Sequence, residues 1–572
     1  MPSFLAPAFR PGESAGGNRG DAVPRGEKLL AFVLLSVALV LRCFYIFRFR
    51  YDSDEPQHLH TTWGWTQHLL QYRDFFDNHT PLFHLLFSPL VAALGERADI
   101  LDFMRFAIVP LWFVCLWCVW KIGSTLFSPR AGLWAAVFIA LLPWWFFPAL
   151  EYRTDNLWTP LWLAALTVLV SGRMSCWRGF AGGVLLGLCF CASMKTTVLF
   201  AAAALAALAA PQLVARDFSL REIGRSLRAA WPVVAGALLA PAALCAFFAA
   251  QGAWGEFYYG VIKHNILPGV DAKNHPAWLR LIFPLALPFL GYVATRIARG
   301  VPERALAERR VFVFLVAGLY YAALYSFWTL LTRQDFLPFY PVAAILAAPL
   351  LAWFAEARGR PFCVLCGVGI AGIAFILGGR PPWIDGTVRE REILRDTLRL
   401  TRPGEFVMDF KGECVFRQRA FRFVTEPLTF VRLRRGLIAD TIAADIAAKK
   451  VMVVLNQDRW FPKGGAAFMA ENFLPVGHLR VAGKVLAKGP VETGAPIVFQ
   501  VALTAPYALW DGGQPVTGTL DGTPYAGPRE LATGPHEFRL AENHARLAII
   551  WQRALEAGFT PEVEQPKWED FR

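Results

Sequence analysis

Acids, histidines and cations at the ends of apolar runs are the residues of this chain with the means to do chemistry. The stretch Tyr51-Asp52-Ser53-Asp54-Glu55-Pro56-Gln57-His58-Leu59-His60 sets three carboxylates and two histidines directly after the first long apolar run. A second burst, Asp74-Phe75-Phe76-Asp77-Asn78-His79-Thr80-Pro81, precedes the return of apolar sequence. Further on stand Glu151-Tyr152-Arg153-Thr154-Asp155, then Lys195, Lys263-His264 and Arg333. Ionisable groups are costly at a membrane boundary, which makes each a functional candidate by default. Carboxylates beside imidazoles suit two tasks: a general base for an acceptor hydroxyl or amine, and oxygen and nitrogen ligands for a divalent ion. Lysine and arginine at headgroup level suit a phosphate, which a guanidinium engages through two parallel hydrogen bonds. A phosphate-linked lipid substrate satisfies both descriptions.

The elements that must position these groups are membrane helices. Of 572 residues, 55% are apolar, the composition of a polytopic membrane protein. The net charge of +13 is spread over short loops between apolar runs, such as Arg216, Arg221, Arg225 and Arg228. That is the pattern of the positive-inside rule, and it excludes a nucleic-acid binder with one basic face. Leu29 to Arg48 reads as a retained first span, flanked by Lys28 and by Arg42, Arg48 and Arg50. Residues 1–28, rich in Gly, Pro and Arg, read as a disordered cytoplasmic tail.

Taking the basic loops as cytoplasmic gives about eleven spans across residues 29–379. Pro81 to Leu94 is too short to span and reads as an interfacial or re-entrant helix within an outer loop, 49–102. In this topology Asp54, Asn78/His79, Glu151 to Asp155 and Lys263/His264 share the outer face, and Lys195 sits at a hairpin tip. Residues 380–572 then lie outside. They divide into an α/β lobe, 380–488, and a β-sandwich lobe, 489–572. Glu405 to Phe410, Ile438 to Lys449 and Val451 to Leu455 form a strand–helix–strand pattern. Pro496 to Leu503 and Pro506 to Trp510 are strands, with hairpin turns at Asp511-Gly512 and Asp521-Gly522. Cys115/Cys118 and Cys363/Cys366 lie inside apolar runs and read as small apolar residues, not as redox or zinc pairs.

Each candidate also has a purely structural explanation. Asp155 or Thr154 would cap the following helix. Glu151 with Arg153 would be a local ion pair, and Lys195 would snorkel from its hairpin. Arg333 would anchor at the interface, His264 would be a loop histidine, and His58 and His60 would pack. Read as site residues, His58, Arg153, Lys195, Lys263 and Arg333 contact substrate or its phosphate. Glu151, His79 and His264 are the candidate ligands for a divalent ion (Mg, Mn or Zn), the cofactor expected if there is one.

The order Asp54-Glu55-Pro56-Gln57-His58, then Tyr72-Arg73-Asp74-Phe75-Phe76-Asp77-Asn78-His79-Thr80-Pro81-Leu82, resembles the first outer loop of GT-C membrane glycosyltransferases. The protein O-mannosyltransferase and aminoarabinose-transferase branch is the most similar. Arg153-x-Asp155, and Arg333 followed by Phe336-Leu337-Pro338 and Pro341, extend the resemblance over roughly Leu29 to Leu377. It implies a GT-C fold, here with the about eleven transmembrane helices and the extracytoplasmic α/β plus β-sandwich region read above. It also implies a polyprenyl-phosphate sugar donor, with Asp54 as the base and Asp155 as the second acid. The chain departs from the family at Asn78 and His79, where relatives carry an acid and a lysine. It departs again at Thr80, in place of the first proline, and at Gln57, in place of arginine.

The resulting expectation is an inverting glycosyltransferase of a bacterial inner membrane, N-terminus cytoplasmic and C-terminal region outside. It would move a sugar from a polyprenyl phosphate to a glycan, lipid or protein acceptor, with Asp54 or Glu55 as the base. A carrier that flips a lipid-linked sugar without chemistry is the alternative, although no internal repeat of the kind common in transporters is visible. A non-catalytic scaffold would have no use for Asp54.

Overall fold

The computed structural model describes residues 23–267, 276–328, 330–457, 461–487, 489, 491–513, 516–544 and 546–561. Most of the expected cytoplasmic tail lies outside them, and its end, from Arg25, already belongs to the first helix, Arg25–Ile46. The chain forms two compact units: one of residues 1–51, 78–86 and 102–386, the other of residues 52–77, 87–101 and 387–572.

In the first unit, eight described helices are long and apolar enough to cross a membrane. They are Arg25–Ile46, Ile100–Leu126, Thr196–Ala215, Leu220–Ala250, Trp278–Arg299, Arg304–Phe327, Phe339–Ala357 and Pro361–Gly379. The pair Pro129–Ala140 and Pro143–Leu150, bent by 68°, is a broken span or a re-entrant loop and brings the count to nine if taken as one span. The protein is therefore a multi-pass membrane protein. The two other expected spans are the shorter apolar helices Asp155–Val170 and Cys176–Ala192. With 16 residues, Asp155–Val170 reaches only about 24 Å, against the ~30 Å of a hydrocarbon core. Leu82–Leu94 is a helix of 13 residues, too short to cross.

Backbone donors and acceptors inside these helices satisfy one another, as lipid requires. The carbonyls that helix ends leave over are taken by buried arginines. Arg42, expected to flank the first span, is instead buried within it and donates to the Ala149 carbonyl. Arg105 donates to the carbonyls of Phe49 at 2.6 Å and Arg50 at 2.8 Å and lies 4.3 Å over the Tyr51 ring. At the other end of the first helix, buried Glu27 pairs with Arg130 at 2.8 Å and accepts from Trp134 Nε1 at 3.1 Å.

Without a hydrophobic force between helices in lipid, close approach depends on small residues. Cys176–Ala192 packs against Leu220–Ala250 backbone to backbone. A Cβ on Gly183 would fall 2.1 Å from the Val233 carbonyl oxygen, and one on Gly236 would fall 2.2 Å from that of Phe180. Gly183→Val is therefore expected to force the pair apart and to cost about 1–3 kcal/mol, read as a lower unfolding temperature in detergent. Substitution of Gly291, which has open space around it, serves as the control.

The second unit joins the tail to the helix Asp54–Thr66, so this part of the outer loop groups with the tail and not with the membrane helices. Its main sheet pairs Arg529–Leu531, Ala505–Trp510, Leu547–Trp551, Leu479–Ala487 and Val453–Leu455 in that order, with Phe473–Val476 also on Leu479–Ala487. Strands from both sides of residue 489 thus share one sheet, and residues from Ile393 to Ala554 share one hydrophobic core. A second sheet orders Pro496–Val501, Gly534–Leu540, Gly518–Leu520 and Thr523–Tyr525. Its last hairpin turns at Asp521 and Gly522, with φ of 52° and 75°, the left-handed pair that a two-residue turn requires. The strand–helix–strand pattern appears as Phe406–Val407, Ile442–Ala448 and Val453–Leu455, with a parallel bridge from Met408 to Val454. All ten cysteines are unpaired.

Candidate active site

In the second unit Asp54 is the first residue of the helix Asp54–Thr66. Its backbone N–H donates to Asp52 Oδ1 at 3.2 Å, and Glu55 Oε1 accepts from the Asp52 N–H at 2.8 Å. Glu55 is completely buried and occupied by backbone, whereas the Asp54 side chain keeps 22% of its surface open to solvent. Gln57 Nε2 and Gln71 Nε2 donate to the two oxygens of buried Asp77, at 2.8 and 3.1 Å. Much of the polar stretch therefore holds the loop together. His58 and His60 are both buried in it, and His60 Nδ1 lies 2.7 Å from the Val415 carbonyl.

Lys411, 357 residues further along the chain, donates from Nζ to Asp54 Oδ1. The lysine side chain is only 9% exposed, and a tight loop aims it. Asp409 accepts from the N–H groups of Gly412 at 3.1 Å and Cys414 at 2.9 Å. Glu413 Oε2 accepts from those of Phe410 at 3.1 Å and Lys411 at 2.7 Å. Gly412 has φ of +112°, and a Cβ there would lie 2.7 Å from His60 Cβ, so glycine alone lets the loop press on the helix. Burial, with the Asp409 carboxylate beside it, pushes the Glu413 acid up to about 6. Burial, with the Arg419 cation beside it, pushes His60 below the usual imidazole range.

In the first unit, Arg153, Asp155 and Lys195 come together with a residue that sequence reading passed over, Asp335. Lys195 Nζ lies 2.8 Å from Asp155 Oδ1 and 2.8 Å from Asp335 Oδ1, and Arg153 Nε lies 3.4 Å from Asp155 Oδ2. Burial pulls the Lys195 ammonium down, but the two carboxylates outweigh it and raise the group to about 12. Asp155 serves these cations instead of capping its helix, and Thr154 makes no side-chain cap either. Asp335 Oδ2 also accepts from Thr332 N–H at 2.6 Å and from its hydroxyl at 3.0 Å. Its neighbour Gln334 donates to Glu151 Oε2 at 2.6 Å. Arg333 and Lys263 stay exposed, outside this cluster. Asn265 donates to the Asn78 carbonyl at 2.9 Å, tying the segment of His79 to the segment of His264.

Among the described residues no three His, Cys, Asp or Glu side chains gather as ligands of one ion. Glu151 is bonded by Gln334, His264 is buried, and His79 is close enough to act on the Asp155 charge. These three do not assemble into the expected donor set.

No family model matches the chain. No curated protein matches it in sequence. Solved structures do match. The apo structure of ArnT from Cupriavidus metallidurans superposes with a TM-score of 0.52 and 13% identity, over 80% of this chain and 98% of ArnT. ArnT bound to undecaprenyl phosphate superposes with 0.54 and 13%, over the same shares of both chains, 80% and 98%. The fold is the GT-C fold. The archaeal oligosaccharyltransferase of Archaeoglobus fulgidus in its apo form matches with 0.46 and 9% identity, over 94% of this chain and 98% of that one.

Two residues were invisible to local sequence patterns. Lys411 lies hundreds of positions from its partner, in a stretch with no motif. Asp335 stands two places after Arg333, the exposed cation on which attention fell.

Two outcomes follow from this geometry. Lys195→Met leaves Asp155 and Asp335 facing each other without their cation and is expected to cost about 3 kcal/mol in unfolding experiments. Adding Asp335→Asn, which leaves Asp155 with Arg153 and the set neutral again, should recover most of that loss. Glu413 has a raised acid, so its stabilising share is complete below its unfolded value near 4.5 and is lost as pH rises through about 6. Glu413→Gln should flatten the pH dependence of the unfolding midpoint between pH 4.5 and 7 relative to the native chain.

Proposed function

We propose that the chain is an inverting glycosyltransferase that moves a sugar from a polyprenyl-phosphate donor to an acceptor on the outer face of a bacterial cytoplasmic membrane. The N-terminus would be cytoplasmic, with 380–572 on the outer side. The fold shared with ArnT, a protein also solved with undecaprenyl phosphate bound, supports the donor class. The observation that carries the reading is the Asp54 carboxylate, accessible at the start of its helix and held from the side by Lys411. A carboxylate whose only task was to pair with a lysine would have no need of the solvent-facing position that Asp54 keeps.

In this reading an acceptor hydroxyl or amine hydrogen-bonds the solvent-facing carboxylate of Asp54. As its lone pair attacks the anomeric carbon, its proton passes to the carboxylate. The bond from that carbon to the phosphate oxygen breaks with both electrons on oxygen, and polyprenyl phosphate leaves from the opposite face, which inverts the centre. Lys411 fixes the carboxylate so that the base does not have to be ordered during the reaction. The leaving group is an anion, and fixed positive charge near it lowers the barrier. Arg333 and Lys263 are the cations this reading assigns to that task. Lys195 is less suited, because two carboxylates already balance its charge. Asp155 acts here as the partner that holds Arg153 and Lys195 in place.

The test is transfer in proteoliposomes from a panel of polyprenyl-phosphate sugars. Asp54→Asn should lower the rate roughly 10²-fold or more, the usual contribution of a general base. Lys411→Met should lower it less, with Lys411→Arg recovering part of the rate. Full activity in Asp54→Asn would remove the residue from its role. Movement of labelled lipid across the bilayer with no turnover of any donor would favour the carrier.

A further inference from the structure

The second unit contains a cavity that the proposed chemistry does not use. It encloses about 250 Å³ between the helix Asp54–Thr66, the turn after it and the segment around Phe421. That is below the ~300–1,000 Å³ of sites for drug-sized ligands, and it suits a single small ring. Three aromatic side chains, Trp63, Phe75 and Phe421, line it. Flat apolar faces of this kind pack against the C–H face of a sugar ring while leaving its hydroxyls to polar neighbours.

Its charge is one-sided. Arg419, Arg422 and Lys449 line the cavity against one acid, Asp74. Arg419 is neutralised by Asp409 at 3.3 Å, and Asp74 is held by Arg73 at 2.9 Å. Arg422 and Lys449 are different. Arg422 donates to the carbonyls of Tyr72 and Arg73, and Lys449 donates to that of Ala420 at 2.6 Å. Among the described residues neither forms an ion pair. Arg422 acts on the Asp74 charge only at longer range, and the hydrogen bonds of both cations go to neutral carbonyls, which leaves further donors and favours an anionic ligand.

We infer that this cavity binds one sugar ring carrying a negative charge, as carboxylate or phosphate, in the acceptor of the transfer proposed above, on which this inference rests. The ring lies against Trp63, Phe75 and Phe421, and Arg422 and Lys449 take the anion. Trp63 is nine residues along the same helix from Asp54, about 13 Å of helical rise. The cavity would therefore hold a part of the acceptor that does not react, and such remote contacts select the substrate.

The experiment is calorimetric titration of the full chain in nanodiscs with methyl β-glucuronide, glucose 6-phosphate, methyl β-glucoside and inorganic phosphate. Either charged sugar is expected to bind about tenfold or more tightly than the neutral glucoside, as two charge-assisted hydrogen bonds would give. Which of the two binds identifies the anion. The variant Arg422→Gln/Lys449→Gln should bring that sugar down to the glucoside's affinity. The comparison of charged with neutral sugar uses the native chain, so it stands even if the variant fails to fold. Equal binding of charged and neutral sugars, or unchanged binding in a folded variant, overturns the inference. Inorganic phosphate binding as tightly as the sugars overturns the ring's part in it. Transfer measured in parallel separates the two readings: a chain that transfers without this selectivity refutes the cavity alone, and one that binds the anion but transfers nothing refutes the transferase alone.

Discussion

A lysine between two aspartates holds the membrane unit's polar cluster together. Lys195 joins the start of one helix, through Asp155, to a short turn between two others, through Asp335. Ionised groups lose several kcal/mol of hydration on burial, and only close opposite charges return it. Arg153 on Asp155 makes the set neutral, with two cations and two anions. Neutrality explains why three of these groups are nearly closed to solvent. The cluster thus carries no net charge to offer an anion.

The second unit solves a similar problem with backbone. Buried Asp409 and Glu413 are each occupied by two N–H groups of the loop they close. The loop is thereby rigid enough to present one lysine side chain to Asp54. Gly412 allows the contact, because any side chain there would meet His60. The position of the Asp54 carboxylate is thus set by a partner on a separate, packed element.

Much of this was legible in the sequence. Apolar runs and basic loops marked the spans, and the short run after Pro81 marked a helix too short to cross. Asp521-Gly522 marked a hairpin. Arg153-x-Asp155 and Lys195 stood out as charges at the ends of apolar helices, and they meet. What misled was sequence proximity. Glu55 adjoins Asp54 but faces backbone, Arg42 looked like a flank but is buried, and Asp335, two places after Arg333, is the residue that meets Lys195. Tail segments on both sides of residue 489 looked like separate lobes, yet their strands pair, because an open edge of one sheet is completed by strands from the other segment.

The sequence by itself determined that this chain crosses a membrane many times and which polar residues sit at the ends of its spans. Both properties are local: burial of apolar side chains in lipid and the cost of charge there act residue by residue. Only the tertiary structure decided which charges neutralise one another, which acid stays open, and which distant lysine holds it. Those outcomes depend on distances of a few ångströms between segments hundreds of residues apart, and no local pattern carries them.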